Sequence, residues 1–202
     1  MAYNKFTLSL VKERFKIENQ IIGFLPENLP NFAVSTQLAQ ELIEVEGIGL
    51  FSEKSKSEHI IIPVLKELRR KNKDKFSYFS GYEFNVDKKL SLNGFCDFIF
   101  SAVPHSAVIE SPIICLVEAK KGEVEEGWGQ CAAEMYAAKL FNQQHNTQKE
   151  VIYGCVTNAF SWCFLKLENN ILFIDPNYVP LTFASPHQVL AVLQWILDES
   201  LK

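Results

Sequence analysis

The sequence predicts an α/β (α+β) fold, a central mixed β-sheet flanked by helices, on three observations. The first third carries apolar residues at helical spacing. The middle holds short apolar or alternating runs, among them Ile113, Ile114, Cys115, Leu116 and Val117, the near-continuous apolar pattern of a strand covered on both faces. One helical segment then separates these runs from later ones, and a final helix closes the chain, an order that places helices against a sheet.

Phe6 to Phe15 is predicted as a short helix, followed by the proline-punctuated PENLPN loop. Ser35 to Glu46 follows, with Ser35 as N-cap and Gly47 and Gly49 ending it. Glu53 to Lys71 is a longer helix in which Ile61, Val64, Leu65 and Leu68 recur at helical spacing and Pro63 introduces a bend. Strands are predicted over Phe76 to Val86 and Gly94 to Ser101, an antiparallel hairpin across the polar DKKLSLN turn, and over Pro112 to Lys120. Glu126 to Gln144 is a helix by its Trp128, Cys131, Ala132, Met135 and Ala138 stripe. Val151 to Thr157, Ser161 to Leu167 and Ile171 to Ile174 are further strands. Ser185 caps a last helix to Leu201, with Pro186 at its first position.

A chain of 202 residues with 48% hydrophobic content suits one core, so residues 1–202 are expected to form a single domain. Within it, residues 1–50 form a helical N-terminal extension, 53–165 the core and 185–201 the C-terminal helix. The net charge of −4 argues against coating nucleic acid by charge alone. Five cysteines lie singly in apolar segments without a C-x-x-C pair, as buried reduced thiols do. No secretory signal or membrane span is evident, and the cytoplasm is the expected location.

The charged residues inside predicted strands carry the chemistry. Glu118 and Lys120 point to one side of their strand, because side chains alternate with period two. Asp97 lies in GFCDFIF, among apolar neighbours. A buried carboxylate without a partner is costly. If these two strands are adjacent, Asp97, Glu118 and the Ala119 carbonyl offer hard oxygen ligands to one divalent cation. Lys120 then stands where an attacking water or a scissile phosphate sits. A structural ion pair of Asp97 with Lys120 is the plainer reading of the same residues.

Asp97, then Glu118-Ala119-Lys120 at the end of an apolar strand, then a helix bearing Gln130, resemble the PD-(D/E)XK nucleases of the restriction-endonuclease-like fold. SEKSKSEHIIIPVLKEL is similar to the opening of a group of bacterial proteins assigned to that superfamily, and TNAFSWCFLKL to the strand pair after the motif helix; together the resemblance spans about residues 53–165. Asn93-Gly94 precedes the acidic strand where the family pattern has a proline beside the aspartate. The resemblance implies Mg2+ bound by the acidic pair, with Mn2+ as a substitute, a lysine that activates or positions water, and a glutamate from a preceding helix. Glu58 matches that glutamate and would hold a second metal ion or a metal-bound water, and its i, i+3, i+7 relation to Ile61 and Leu65 predicts that it faces the core. Gln130 is ranked ahead of Glu134 and Tyr136, as a group that hydrogen-bonds a phosphate or a site water or else lies on a solvated flank.

The implied activity is metal-dependent hydrolysis of nucleic acid, with DNA as the expected partner and a homodimer as a way to cut both strands. The alternative is a non-catalytic binding or assembly module of the same fold. The run RRKNKDK at 69–75 reads as backbone contacts to phosphate or as cations favoured at a helix C-terminus. Other chemistries find no support: the four histidines lack ligand spacing, no phosphate loop or nucleophile elbow occurs, and Gly127 and Gly129 read as loop glycines.

Overall fold

The strand from Ile113 to Ala119, here β4, has all 7 residues buried. Its apolar run therefore requires cover on both faces, and the fold supplies it. The computed structural model describes residues 2–202. It shows an eight-stranded mixed sheet in the order β1-β7-β6-β5-β4-β3-β2, with β8 paired to β6. The other strands are β1 (Glu18–Ile21), β2 (Ser77–Glu83), β3 (Phe95–Ser101), β5 (Val151–Thr157), β6 (Ser161–Glu168), β7 (Ile171–Ile174) and β8 (Val179–Pro180).

Five of the pairings are antiparallel, including the predicted β2–β3 hairpin and the β3–β4 contact. Two are parallel, β4 with β5 and β1 with β7. The β4–β5 pair needs a crossover, and α5 (Trp128–Gln144) supplies it.

Alternation along the strands sorts the core into two layers. Cys115, Val117, Cys155 and Phe164 face α2 (Thr36–Ile43), α4 (Ile62–Lys71) and α6 (His187–Ser200). Leu116, Ile99, Val156 and Cys163 face α1 (Leu8–Phe15) and α5. The five cysteines are free and buried. Among the described residues, no helix is long and apolar enough to cross a membrane.

Caps set several helix starts. The Thr7, Ser35 and Ser52 side chains accept from Leu10 N, Leu38 N and Ser55 N, which begins α1, α2 and α3 (Glu53–Lys56). Ser35 is held further by buried Glu67, which accepts from both its amide and its hydroxyl at 2.9 Å and pairs with Arg70. The cap at Thr7 explains why the first helix starts at Leu8 rather than Phe6.

Three expectations are corrected. The helix predicted over 53–71 is continuous but contains a π-helical turn, Ser57–Ile61, that ends two residues before Pro63 in the first turn of α4. The wider turn accommodates a residue that lacks an N–H and crowds the preceding carbonyl. The last helix begins after Pro186 with no side-chain cap, so Ser185 does not cap it. Residues 1–50 are not purely helical: Glu18–Ile21, every residue exposed, forms the parallel edge strand β1. Its ENQI sequence has no apolar alternation to reveal it.

Candidate functional site

The antiparallel ladder between β3 and β4 stops at Phe98–Val117, whereas β3 stays paired with β2 as far as Phe95. The two strands therefore part at this end. Continuing the register places Asp97 across from Glu118, both on the α5 side with Ile99 and Leu116. Instead of a further backbone rung, Asp97 Oδ2 accepts from the Ala119 amide at 2.8 Å. Glu118 stands near enough to Asp97 to feel its charge.

Glu118 is only 2% exposed. Its Oε1 receives Lys120 Nζ at 2.5 Å, and its Oε2 has no hydrogen-bond partner. Lys120 also donates to Gln130 Oε1 at 3.0 Å, and Gln130 Nε2 donates to Glu134 Oε1 at 3.1 Å. Glu134, fully buried, leaves Oε2 unpartnered. Gln130 thus lies in a polar chain between strand and helix rather than on a solvated flank. The i, i+4 spacing of Gln130 and Glu134 on α5 puts them on one face.

Burial controls the electrostatics. Desolvation pushes Glu118 well above the ordinary carboxylate range, and the nearby Glu134 and Asp97 add to the effect, against Lys120. Desolvation also raises Asp97, opposed by the Ala119 amide, Lys120 and Glu118. Glu134 is raised to about 8, mainly by burial and against its hydrogen bond from Gln130. For Lys120 burial acts to lower the ammonium, yet the attraction and hydrogen bond of Glu118 prevail and the net shift is upward. Carboxyls are crowded here beyond the charge that Lys120 supplies.

A cleft of about 370 Å³ opens over this cluster, with Asp97, Glu118, Lys120 and Gln130 in its wall. Glu53, at the first position of α3, also lines the cleft. Burial and the Asp97 charge raise its pKa, against Lys120 and the Lys121 amide. Tyr3, from the N-terminal segment, also lines the cleft; its hydroxyl is buried and unpartnered.

Glu58 does not face the core. Its side chain is 50% exposed, with Lys54 Nζ 3.8 Å away. It shares a shallower depression with Glu53 and Asp97 on the outer flank of the cleft. The π-helical turn breaks the α-helical spacing on which the core-facing expectation rested. Glu53 is the glutamate of this helix that reaches the cleft beside Glu118 and Lys120. Its only signal in the sequence is its place after the Ser52 cap.

Gly127 and Gly129 are close-packing residues rather than loop glycines. A Cβ on Gly127 would meet Val156 Cγ1 at 2.5 Å and Lys120 Cε at 3.1 Å; one on Gly129 would meet the Phe6 carbonyl oxygen at 2.5 Å. Their absent side chains let α5 begin against Lys120 and the N-terminal segment. Four of the five cations in the basic run make intramolecular contacts. Arg70 pairs with Glu67, Lys71 donates to the Ala33 carbonyl, Lys75 lies 3.5 Å from Asp198, and Arg69 sits over Phe76.

Among the described residues, no three histidine, cysteine or carboxylate side chains form a ready metal-ligand set. The donor chemistry that is present fits a hard divalent cation: two neighbouring carboxyls, both shifted towards protonation, with one orphaned oxygen. No protein-family model and no curated protein matches the chain.

Proposed function

We propose that the protein is a metal-dependent nuclease that hydrolyses phosphodiester bonds, with DNA as substrate, in the manner of the PD-(D/E)XK enzymes that its sequence resembles. The observation that carries the proposal is the unpartnered Oε2 of Glu118 beside the Asp97 carboxyl, at the point where β3 and β4 part and a cleft opens. A protein gains nothing in stability from an orphaned buried carboxylate oxygen. A cation-binding role accounts for it.

Asp97 and Glu118 would hold Mg2+ or Mn2+, with the Ala119 carbonyl at the end of β4 as a further oxygen. When bound, the ion supplies charge neutralisation at the phosphate and a lowered pKa for a coordinated water. Asp97 is fixed for this role by the Ala119 amide. Lys120, raised in pKa and held by Glu118 and Gln130, keeps its proton at neutral pH and presents a cation to the phosphate or to the attacking water. Gln130 positions the ammonium, and Glu53 adds a further carboxylate to the cleft.

The non-catalytic module draws on one observation of its own, that Lys120 already neutralises part of the acidic pair. Titration calorimetry separates the two readings. Mn2+ is expected to bind the wild type and not Asp97→Asn, a substitution that can still accept from Ala119 N. In Mg2+, Lys120→Ala is expected to lose cleavage by about 10²-fold or more. Metal binding that is absent from the wild type, together with no cleavage, would favour the module.

A further inference from the structure

The next inference rests on the hydrolytic reading and concerns the form of the substrate. Of the chain's 16 phenylalanines, three appear among its exposed large hydrophobics, Phe51 at 85%, Phe95 at 66% and Phe160 at 40%. One of them lines the cleft, and the other two stand close in sequence or contact to residues near it. Phe95 lines it, two residues before Asp97 on β3. Phe51 immediately precedes the Ser52 cap and Glu53. Phe160 lies beside Lys56, whose Nζ is 5.9 Å from the ring centroid and also donates to the Lys121 carbonyl at 2.7 Å.

One exposed phenylalanine on a protein surface is ordinary. Phe95 differs from such a residue in lining the cleft two residues from Asp97, where an exposed ring has a chemical use. Aromatic rings offer stacking surfaces to nucleobases, and only unpaired bases have faces free to use them. The charge distribution points the same way. The chain carries −4 overall, the charged residues of the cleft wall are acidic apart from Lys120, and Arg70 and Lys71 of the basic run are engaged in intramolecular contacts. A duplex bound through its phosphates would need a broader cationic track.

We infer that the cleft takes an unpaired nucleic-acid strand, with a base stacked on Phe95 and the adjoining phosphate presented to Asp97, Glu118 and Lys120. Stacking on the ring supplies a large share of the affinity.

The test is fluorescence anisotropy with a labelled oligothymidylate, a blunt duplex of equal length and an abasic oligomer of equal length. Ca2+ replaces Mg2+ to suppress turnover, and cleavage of the same three probes is followed separately in Mg2+. Oligothymidylate is expected to bind more tightly than either comparator. Phe95→Ala should weaken it about 5- to 100-fold, while Phe95→Tyr retains it; the exposed ring predicts an unchanged Tm for both. Equal or tighter duplex or abasic binding, or no effect of Phe95→Ala, overturns the inference, and duplex cleavage would then leave the hydrolytic reading standing. Phe95-dependent binding of the oligothymidylate with no cleavage of any probe defeats hydrolysis and supports the stacking site.

Discussion

Asp97 and Glu118 face each other one step beyond the last antiparallel rung of β3 and β4, Phe98–Val117, and the Asp97 side chain takes the place of the missing rung by accepting from Ala119 N at 2.8 Å. The separation of the strands and the accumulation of carboxyls are thus one feature. Where the ladder ends, side chains rather than backbone must satisfy the amides.

Because Asp97 and Glu118 are both raised in pKa, protons compete with a cation for them. Mn2+ affinity should therefore rise with pH through the range in which these carboxyls lose their protons, by up to about tenfold per pH unit for each proton displaced. Calorimetry in buffers of different ionisation enthalpy should register proton release. A flat affinity from pH 5.5 to 8 would contradict this account.

Glu134 contributes a pH-dependent stability of defined sign. Its folded pKa of about 8 lies above the ordinary carboxylate value of 4.5, so the native state holds a proton that the unfolded chain gives up. Stability is lost as pH rises between those two values. Glu134→Gln keeps an acceptor for Gln130 and removes the charge. It should raise stability at pH 8 to 9 by on the order of 2 kcal/mol relative to wild type, with little change at pH 4 to 5. Denaturant unfolding across pH measures the difference.

Gln130 transmits order rather than chemistry in the hydrolytic reading. Gln130→Leu should leave Mn2+ affinity within a few-fold of wild type and depress turnover, because Lys120 loses its 3.0 Å acceptor while Asp97 and Glu118 remain. Loss of metal binding in this variant would give Gln130 a larger role than the geometry assigns it.

Glu53 and Glu58 separate by position. Glu53→Gln should reduce metal affinity or cleavage about tenfold or more. Glu58→Gln, on a half-exposed side chain with Lys54 3.8 Å away, should alter either by less than about threefold. Parallel titrations compare the two, and the reverse ranking would restore Glu58 as the helix carboxylate of the site.

Gly127→Ala tests the close approach of α5 to Lys120. A methyl 2.5 Å from Val156 Cγ1 and 3.1 Å from Lys120 Cε forces one of them to move. The expected cost is about 1–3 kcal/mol of stability, accompanied by reduced turnover as Lys120 is displaced. Thermal unfolding and cleavage assays report the two effects separately.

Periodicity and turn chemistry made most of the fold legible. The apolar run of β4, the β2–β3 hairpin and the Ser35 cap depend on neighbours within a few residues, and they appear where the sequence predicts them. Asp97, Glu118 and Lys120 were legible for a related reason, since charges interrupting buried strands stand out against their surroundings. What local pattern could not express depends on partners distant in sequence. The edge strand Glu18–Ile21 exists because β7 offers it hydrogen bonds, not because its residues favour a strand. The exposure of Glu58 follows from a π-helical turn that offsets every i, i+3 relation across it. Glu134 became a neutral buried acid, and Glu53 a wall of the cleft, only when α5 and α3 met the open end of the β3–β4 pair. Alternation within an element decides which side chains share a face; packing between elements decides which of those faces become dry enough to hold a charge and open enough to admit a ligand.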